Sequence, residues 1–165
     1  MIIGIGGCSR SGKSTIAAAL ADELQNSTIL SLDDYAFPEK NLPIVHNRRD
    51  WEIPEAYNFD RLMAEIEKIK IDYSVVIVEG ILVFYDVRIA RMFHKRILMQ
   101  IDKNTFLVRR RQEVRWGSEP DWFIEYVWSS FLKYGLPKDL GGYQLVDGKT
   151  QIDMNRLLSE FSESS

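Results

Sequence analysis

The chain has little of what makes a small domain rigid by covalent or metal chemistry. Its single cysteine, Cys8, excludes an internal disulfide and any cysteine-based zinc cluster. The two histidines, His46 and His94, stand isolated and without metal-ligand spacing. No apolar run approaches the ~18 residues needed to cross a bilayer. The N-terminus reads as a core strand, with neither the basic n-region nor the cleavage site of a targeting leader. A charge excess is also missing: 21 basic and 24 acidic residues leave a net charge of -3, which does not suit a nucleic-acid binder held by a broad basic surface. Internal repeats are absent, and only residues 159–165 are rich enough in Ser and Glu to fray. What remains is a 165-residue chain, 45% hydrophobic, able to bury one core. The expectation is a single domain over 1–165, cytoplasmic, with no membrane or nucleic-acid partner, working as a monomer or homodimer.

Against these absences one segment stands out. Gly7-Cys8-Ser9-Arg10-Ser11-Gly12-Lys13-Ser14 follows the short apolar run Ile2-Ile3-Gly4-Ile5 and spells G-x-x-x-x-G-K-[ST]. Glycines let a backbone fold tightly around an anion with its N–H groups turned inward. Lys13 can reach outer phosphates, and the Ser14 hydroxyl can ligate Mg²⁺. The helix expected from Lys13 onward aims its positive end at the same phosphates. The segment from Gly7 to Thr15, with Cys8, Ser9, Arg10, Ser11, Gly12, Lys13 and Ser14 between, is therefore the candidate nucleotide contact. Cys8 reads as a space-filling residue of the loop, not as a nucleophile.

Near-continuous apolar runs at 2–5, 28–32, 75–78 and 97–101, with a fifth short strand at 143–146, alternate with helical patterns at 13–25, 59–70, 87–92, 104–116, 120–134 and 150–161. Strands of this kind belong in a parallel sheet covered on both faces, so the fold class is α/β. The stretch 37–57 carries Pro38, Pro43 and Pro54 with no sustained period and reads as a long functional loop.

In an open parallel sheet ligands bind beyond the carboxyl ends of the strands. The runs there end in Asp33-Asp34, in Glu79-Gly80 and in Asp102-Lys103, besides the phosphate loop itself. Asp33 or Asp34 can act as general base toward an alcohol, the alternative being a solvated turn or helix cap. Glu79 stands where an acid can hold Mg²⁺ directly or through water. Arg109, Arg110, Arg111 and Arg115 lie on one expected helix, with Arg111 and Arg115 sharing a face at i, i+4. Guanidinium groups there suit the charge of a transferring phosphoryl group, and the favoured pair is Arg111 and Arg115. In the proline-bearing loop, Trp51 can stack on a ring and Glu52 can accept both hydrogen bonds of a ribose diol, while packing of the loop is the plainer role for Trp51.

Taken together, the chain resembles the small-molecule kinases of the uridine kinase and nicotinamide riboside kinase type, within the P-loop kinases. The resemblance runs nearly end to end. It rests on residues 7–14, Leu-Asp-Asp-Tyr-Ala-Phe-Pro at 32–38, Trp-Glu-Ile-Pro-Glu-Ala-Tyr-Asn at 51–58, Ile-Val-Glu-Gly-Ile-Leu-Val-Phe at 77–84 and the arginines at 109–111. Tyr-Val-Trp at 126–128, Leu-Lys-Tyr at 132–134 and Val-Asp-Gly-Lys-Thr at 146–150 look most like the nicotinamide riboside kinases. The resemblance implies a five-stranded parallel sheet with helices on both faces and a helical lid. It makes Asp33 the base, Lys13 and Ser14 the ATP and Mg²⁺ contacts, and Glu79 a metal-side acid. Trp51 and Glu52 become the acceptor contacts, and Arg111 with Arg115 the lid.

The implied reaction is ATP- and Mg²⁺-dependent phosphorylation of a primary hydroxyl on nicotinamide riboside or a related riboside. The alternatives are uridine or cytidine, a vitamin or a sugar as acceptor, or a nucleotide-binding module without catalysis. Two departures bear on the acceptor. Glu52 stands where the family often has Asp, and 59–73 fits one helix and a turn where uridine kinases place a base-reading hairpin. The acidic lid contact falls on Glu119 or Asp121. A GTPase would want N-K-x-D, which the chain lacks.

Overall fold

A computed structural model describes residues 1–114 and 117–162, with the side chain of Ser162 left aside. Five strands form one parallel sheet: β1 (Ile2–Gly7), β2 (Ser27–Ser31), β5 (Val75–Glu79), β6 (Lys95–Gln100) and β7 (Gln144–Asp147), in the order β2-β5-β1-β6-β7. The β1 and β5 strands, Ile-Ile-Gly-Ile-Gly-Gly and Val-Val-Ile-Val-Glu, are buried throughout, as central strands covered on both faces must be. Their side chains alternate between two cores. Ile3, Ile5 and Ile77 meet Ile16, Ala17 and Leu20 of α1 (Lys13–Glu23) together with Leu157 and Phe161 of α6 (Met154–Ser162). Ile2, Val76 and Val78 meet Leu62 and Ile66 of α2 (Phe59–Ile69) and Ile89 of α3 (Val87–Met92). Each fully buried aliphatic side chain contributes about 1.5–3 kcal/mol, which fixes the strands while their carboxyl ends carry polar groups.

Two glycines of β1 set how closely the second layer approaches. A Cβ at Gly4 would come within 2.5 Å of the Phe93 ring, and one at Gly6 within 2.4 Å of the Phe84 ring. The bare strand thus makes room for two aromatic rings that meet edge to face, with centroids 5.7 Å apart.

The expected α/β class and five-stranded parallel sheet are borne out, with three helices whose ends move by more than two residues. The helix expected over 104–116 is α4 (Lys103–Arg111), capped by Asp102, whose carboxylate accepts the Thr105 N–H at 2.9 Å. Asp102 therefore serves as a helix cap that also pairs with Lys149, and it lies away from the cleft. The helix expected over 120–134 is α5 (Asp121–Ser130), which widens into a π turn at Phe131–Gly135. There Gly135 is needed, because a Cβ would lie 2.6 Å from the Ile81 carbonyl. The last helix starts at Met154, since Thr150, Gln151 and Ile152 run along the cleft instead.

The proline-bearing stretch is ordered into a hairpin that the aperiodic sequence did not announce. β3 (Ile44–Val45) and β4 (Arg48–Arg49) pair antiparallel across His46 and Asn47, both at positive φ (41° and 66°), as a tight two-residue turn requires.

Candidate active site

The carboxyl ends of β1, β2 and β5 open into one cleft of about 1860 Å³. That exceeds the ~300–1,000 Å³ of an ordinary single-ligand pocket and suits two molecules side by side. Its walls include Ser9 to Thr15, Asp33, Trp51, Glu52, Tyr57, Glu79, Arg109, Arg110 and Glu119.

At one end lies the phosphate loop. Gly7 and Gly12 adopt positive φ of 146° and 100°. A Cβ at Gly7 would strike the Met99 carbonyl at 2.7 Å, so only glycine permits this path. Gly12 caps α1 without any side-chain partner for the first helical N–H groups, which leaves them free for an anion. Ser14 and Thr15 are exposed to the cleft, whereas Lys13 is buried and its Nζ donates to the Cys8 carbonyl at 2.9 Å. Burial lowers the Lys13 ammonium below its ordinary range, against the opposing pull of Glu79. The Ser11 hydroxyl is buried without a hydrogen-bond partner among the described residues. Cys8 is buried as well, and burial pushes its thiol up to about 11, which keeps it protonated and out of nucleophilic work.

Beside the loop stand the strand-end acids. Glu79 faces Ser31 across the β2–β5 register and accepts its hydroxyl at 2.8 Å. Asp33 sits in a 3-10 turn, Leu32–Tyr35, that closes β2. It is reached by solvent through the cleft, yet the walls strip enough water to raise its carboxyl above the ordinary range, Lys13 pulling the other way. Tyr57 stands beside Asp33 and donates its hydroxyl to the Trp51 carbonyl at 2.9 Å. Asp34 does not line the cleft.

The far end holds Glu52, only 7% exposed, while Trp51 beside it keeps 39% of its surface open. Burial pushes the Glu52 carboxyl up to about 7, with Arg110 opposing and Asp50, Asp33 and Glu119 adding to the rise.

The arginines fall differently from the expected pattern. Arg110 lines the cleft: its Nε and Nη2 grip the Glu119 carboxylate at 2.6 and 2.8 Å, and its Nη1 donates to Ser9 Oγ at 2.7 Å. Arg109 spans the carbonyls of Arg10 and Gly148 at 3.0 and 2.9 Å. Arg111 turns outward to Asp121 in an exposed pair at 3.1 Å and does not line the cleft. Arg115, the other expected lid residue, lies outside the described residues. Of the two candidate acids, Glu119 is the one in the cleft. The signal for Arg110 was present in the sequence: Phe106 is fully buried and Arg110 follows it by four, on the same helix face. In the sequence Tyr57 and Tyr126 stand only as members of the 51–58 and 126–128 motifs, with no role of their own, and nothing singles out Asp50; the fold brings all three to the acceptor end.

No family model matches the chain. It is similar to nicotinamide riboside kinase 1 of Homo sapiens, 27% identical over 81% of this chain and 75% of that protein. It is also similar to the uridine kinase of Saccharomyces cerevisiae, 29% identical over 80% of this chain and 32% of the other. Among solved structures, a gluconokinase from Sinorhizobium meliloti 1021 superimposes with a TM-score of 0.60 at 16% identity, covering 98% of this chain and 89% of that one. These proteins are kinases, which bears out the enzyme class expected from the sequence. The resemblance extends from motif to fold: the chain is similar, in sequence and in architecture, to the P-loop small-molecule kinases of the nicotinamide riboside kinase and uridine kinase type.

Proposed function

We propose that the protein is an ATP- and Mg²⁺-dependent kinase that phosphorylates the primary hydroxyl of a small riboside, nicotinamide riboside or a near relative. In this reading it works as a single domain in the cytoplasm. The observation that carries the proposal is the joining, in one cleft, of a phosphate loop, a carboxylate at Asp33 and a buried acid at Glu52 beside the open ring of Trp51.

The phosphate end fits a nucleotide. A Ser11 hydroxyl without a partner among the described residues, N–H groups with no side-chain cap and an ammonium resting on its own loop's carbonyl are donors suited to an anionic acceptor. A metal fits on different terms. Among the described residues no group of three or more His, Cys, Asp or Glu could hold one. Mg²⁺ characteristically keeps its waters and binds through one or two protein oxygens plus substrate phosphates. The Ser14 hydroxyl and the Glu79 carboxylate would supply those. When bound, Mg-ATP provides the transferable phosphoryl group and part of the charge neutralisation.

The chain's own residues do the rest. Lys13 leaves the Cys8 carbonyl for the outer phosphates. Asp33, raised in basicity by its walls, takes the proton of the acceptor hydroxyl as that oxygen bonds to phosphorus and the bond to the departing nucleotide breaks. Arg110 places a guanidinium between Ser9 of the loop and the acceptor end, where transferring charge accumulates. Glu52 accepts hydrogen bonds from the riboside diol while Trp51 covers the ring. Among the described residues no strand pair stands between α2 and β5; the hairpin the chain does have, β3–β4, precedes Trp51 and lines the cleft with Ile44, Asn47, Arg48 and Arg49, so the choice between nicotinamide riboside and uridine falls to the acceptor panel.

The test is a panel of nucleosides, vitamins and sugars with ATP and Mg²⁺, read by ADP release and by gain of one phosphoryl mass on the acceptor. Phosphorylation of ribosides is expected. Turnover confined to acceptors without ribose overturns the riboside assignment, and ATP hydrolysis with no phosphorylated acceptor overturns the kinase assignment.

A further inference from the structure

Asp50 has no place in the chemistry above, yet it is only 4% exposed. A carboxylate withdrawn this far from water must be fully hydrogen-bonded. One local and one distant group supply the bonds: Oδ1 accepts the backbone N–H of Glu52, two residues on, at 3.0 Å, and Oδ2 accepts the hydroxyl of Tyr126 on α5 in a short bond. Burial and Asp50 itself push the Tyr126 phenol up to about 12, so it stays a donor at any working pH. The neighbouring hairpin docks on the same helix. His46 meets Trp122 edge to face at 5.1 Å, and the Arg48 guanidinium lies 4.7 Å over the Phe123 ring. The peptide that carries Glu52 is thus tied to α5 by one buried carboxylate.

We infer that Asp50, gripped by Tyr126, is the positioning residue for Glu52: it fixes the Glu52 backbone and hence the direction in which the Glu52 carboxylate meets the acceptor's hydroxyls. The inference rests on the riboside reading of the site. Displacement of an orienting group by about 1 Å can cost up to ~100-fold, so a lost anchor is visible in kinetics.

Electrostatics gives a readout that a passive spacer would not move. Glu52 faces Asp50 on its own loop, Asp33 at the end of β2 and Glu119 ahead of α5, with Arg110 of α4 and Lys13 of the phosphate loop opposing. The phenols of Tyr57 and Tyr126 also feel the Glu52 carboxylate. Removing the Asp50 charge takes away a like charge and lowers the pH at which Glu52 ionises.

The experiment compares the wild type with Asp50→Asn, nearly isosteric, whose amide oxygen can keep the Glu52 N–H bond while its NH2 can bond Tyr126 only if that hydroxyl turns to accept, and with Tyr126→Phe. KM for the riboside, KM for ATP and kcat are measured, together with the pH profile of kcat/KM for the riboside. Asp50→Asn is expected to move the acid limb of that profile down from near 7. Tyr126→Phe should raise the riboside KM roughly tenfold with KM for ATP unchanged. An unmoved acid limb in Asp50→Asn together with an unchanged riboside KM in Tyr126→Phe overturns the inference and leaves the kinase reading standing. Equal losses of riboside and ATP affinity in both variants mark a general folding role and overturn it as well. A wild type that phosphorylates no riboside defeats the reading of the site itself, an outcome visible before any variant is made.

Discussion

The two ends of the cleft are built in opposite ways. The phosphate end is one contiguous stretch, Gly7 to Thr15, whose donors are backbone N–H groups and two neighbouring side chains. The acceptor end collects its groups from the turn after β2, the loop after the hairpin, α4, the segment before α5 and α5 itself. The first end is positive and preformed. The second is crowded with carboxylates, Asp33, Asp50, Glu52 and Glu119, balanced chiefly by Arg110. A local site depends on loop geometry, so a change there acts on every substrate alike. An assembled site depends on packing between distant elements, so a change there acts on the acceptor alone.

The largest effect should come from the contiguous end. Lys13→Met is expected to lower kcat/KM by roughly 10²–10³, the usual cost of removing one donor from a developing charge. The fold should persist, because a buried ammonium whose ionisation is already disfavoured gives way to an apolar chain of similar length. Steady-state kinetics with a far-UV CD check decides this, and normal turnover would remove the nucleotide assignment.

Asp33→Asn comes next, and it stands where the two ends meet. It keeps the shape and removes the proton acceptor, so kcat should fall by about 10² with ATP affinity nearly unchanged. A greater loss in Asp34→Asn would shift the base to the neighbour that turns away from the cleft.

How much of this was readable beforehand follows the same division. The phosphate loop, the strand-end Asp33 and Glu79 and the sheet were legible, because the pattern of glycines and apolar runs is itself the physical requirement. Trp51 and Glu52 were legible as a motif, although the hairpin that presents them was not, since two residues at positive φ leave no periodic trace. The i, i+4 spacing of Arg111 and Arg115 marks one helix face in the sequence, whereas in the fold the burial of Phe106 orients α4 so that Arg110 lines the cleft and Arg111 turns out to Asp121, Arg115 lying outside the described residues. Asp50 and Tyr126 are 76 positions apart, and their contact exists only once α5 packs across the cleft.

Glu52 sharpens the contrast through pH. Its carboxyl is raised by burial from 4.5 to about 7, so between those values the folded acceptor-free protein holds a proton that the unfolded chain has lost. The stability that Glu52 contributes is full below 4.5 and is lost as pH rises through about 7. Glu52→Gln should therefore raise Tm relative to wild type at pH 8 and leave it nearly unchanged at pH 4.5. In activity, kcat/KM for the riboside should rise with the ionised carboxylate through neutrality. The wild type should prefer a riboside over its 2′-deoxy analogue by about 10² or more, because the deoxy compound leaves a buried acid unpaired. Glu52→Ala should erase most of that preference. Equal preference in the wild type would mean that Glu52 does not read the diol.

The smallest effect expected is also the one that tests where the helix α4 faces. Arg111 and Asp121 form a pair in which both side chains are more than half exposed, and pairs of that kind contribute about 0–1 kcal/mol. Arg110 and Glu119 are nearly buried, with side-chain exposures of 10% and 6%. Removing one partner of such a pair strands the other away from water, at a cost of roughly 3–5 kcal/mol. Arg111→Ala should then change Tm and kcat/KM within a few-fold, while Arg110→Ala lowers both markedly and weakens the riboside more than ATP. Measuring the two variants side by side separates the faces of one helix with a single difference in position. If Arg111→Ala proved the more damaging in kcat while Tm held, α4 would have to rotate or extend when nucleotide and acceptor are both bound, and the outward-facing arginine would be the one that meets the transferring phosphoryl group.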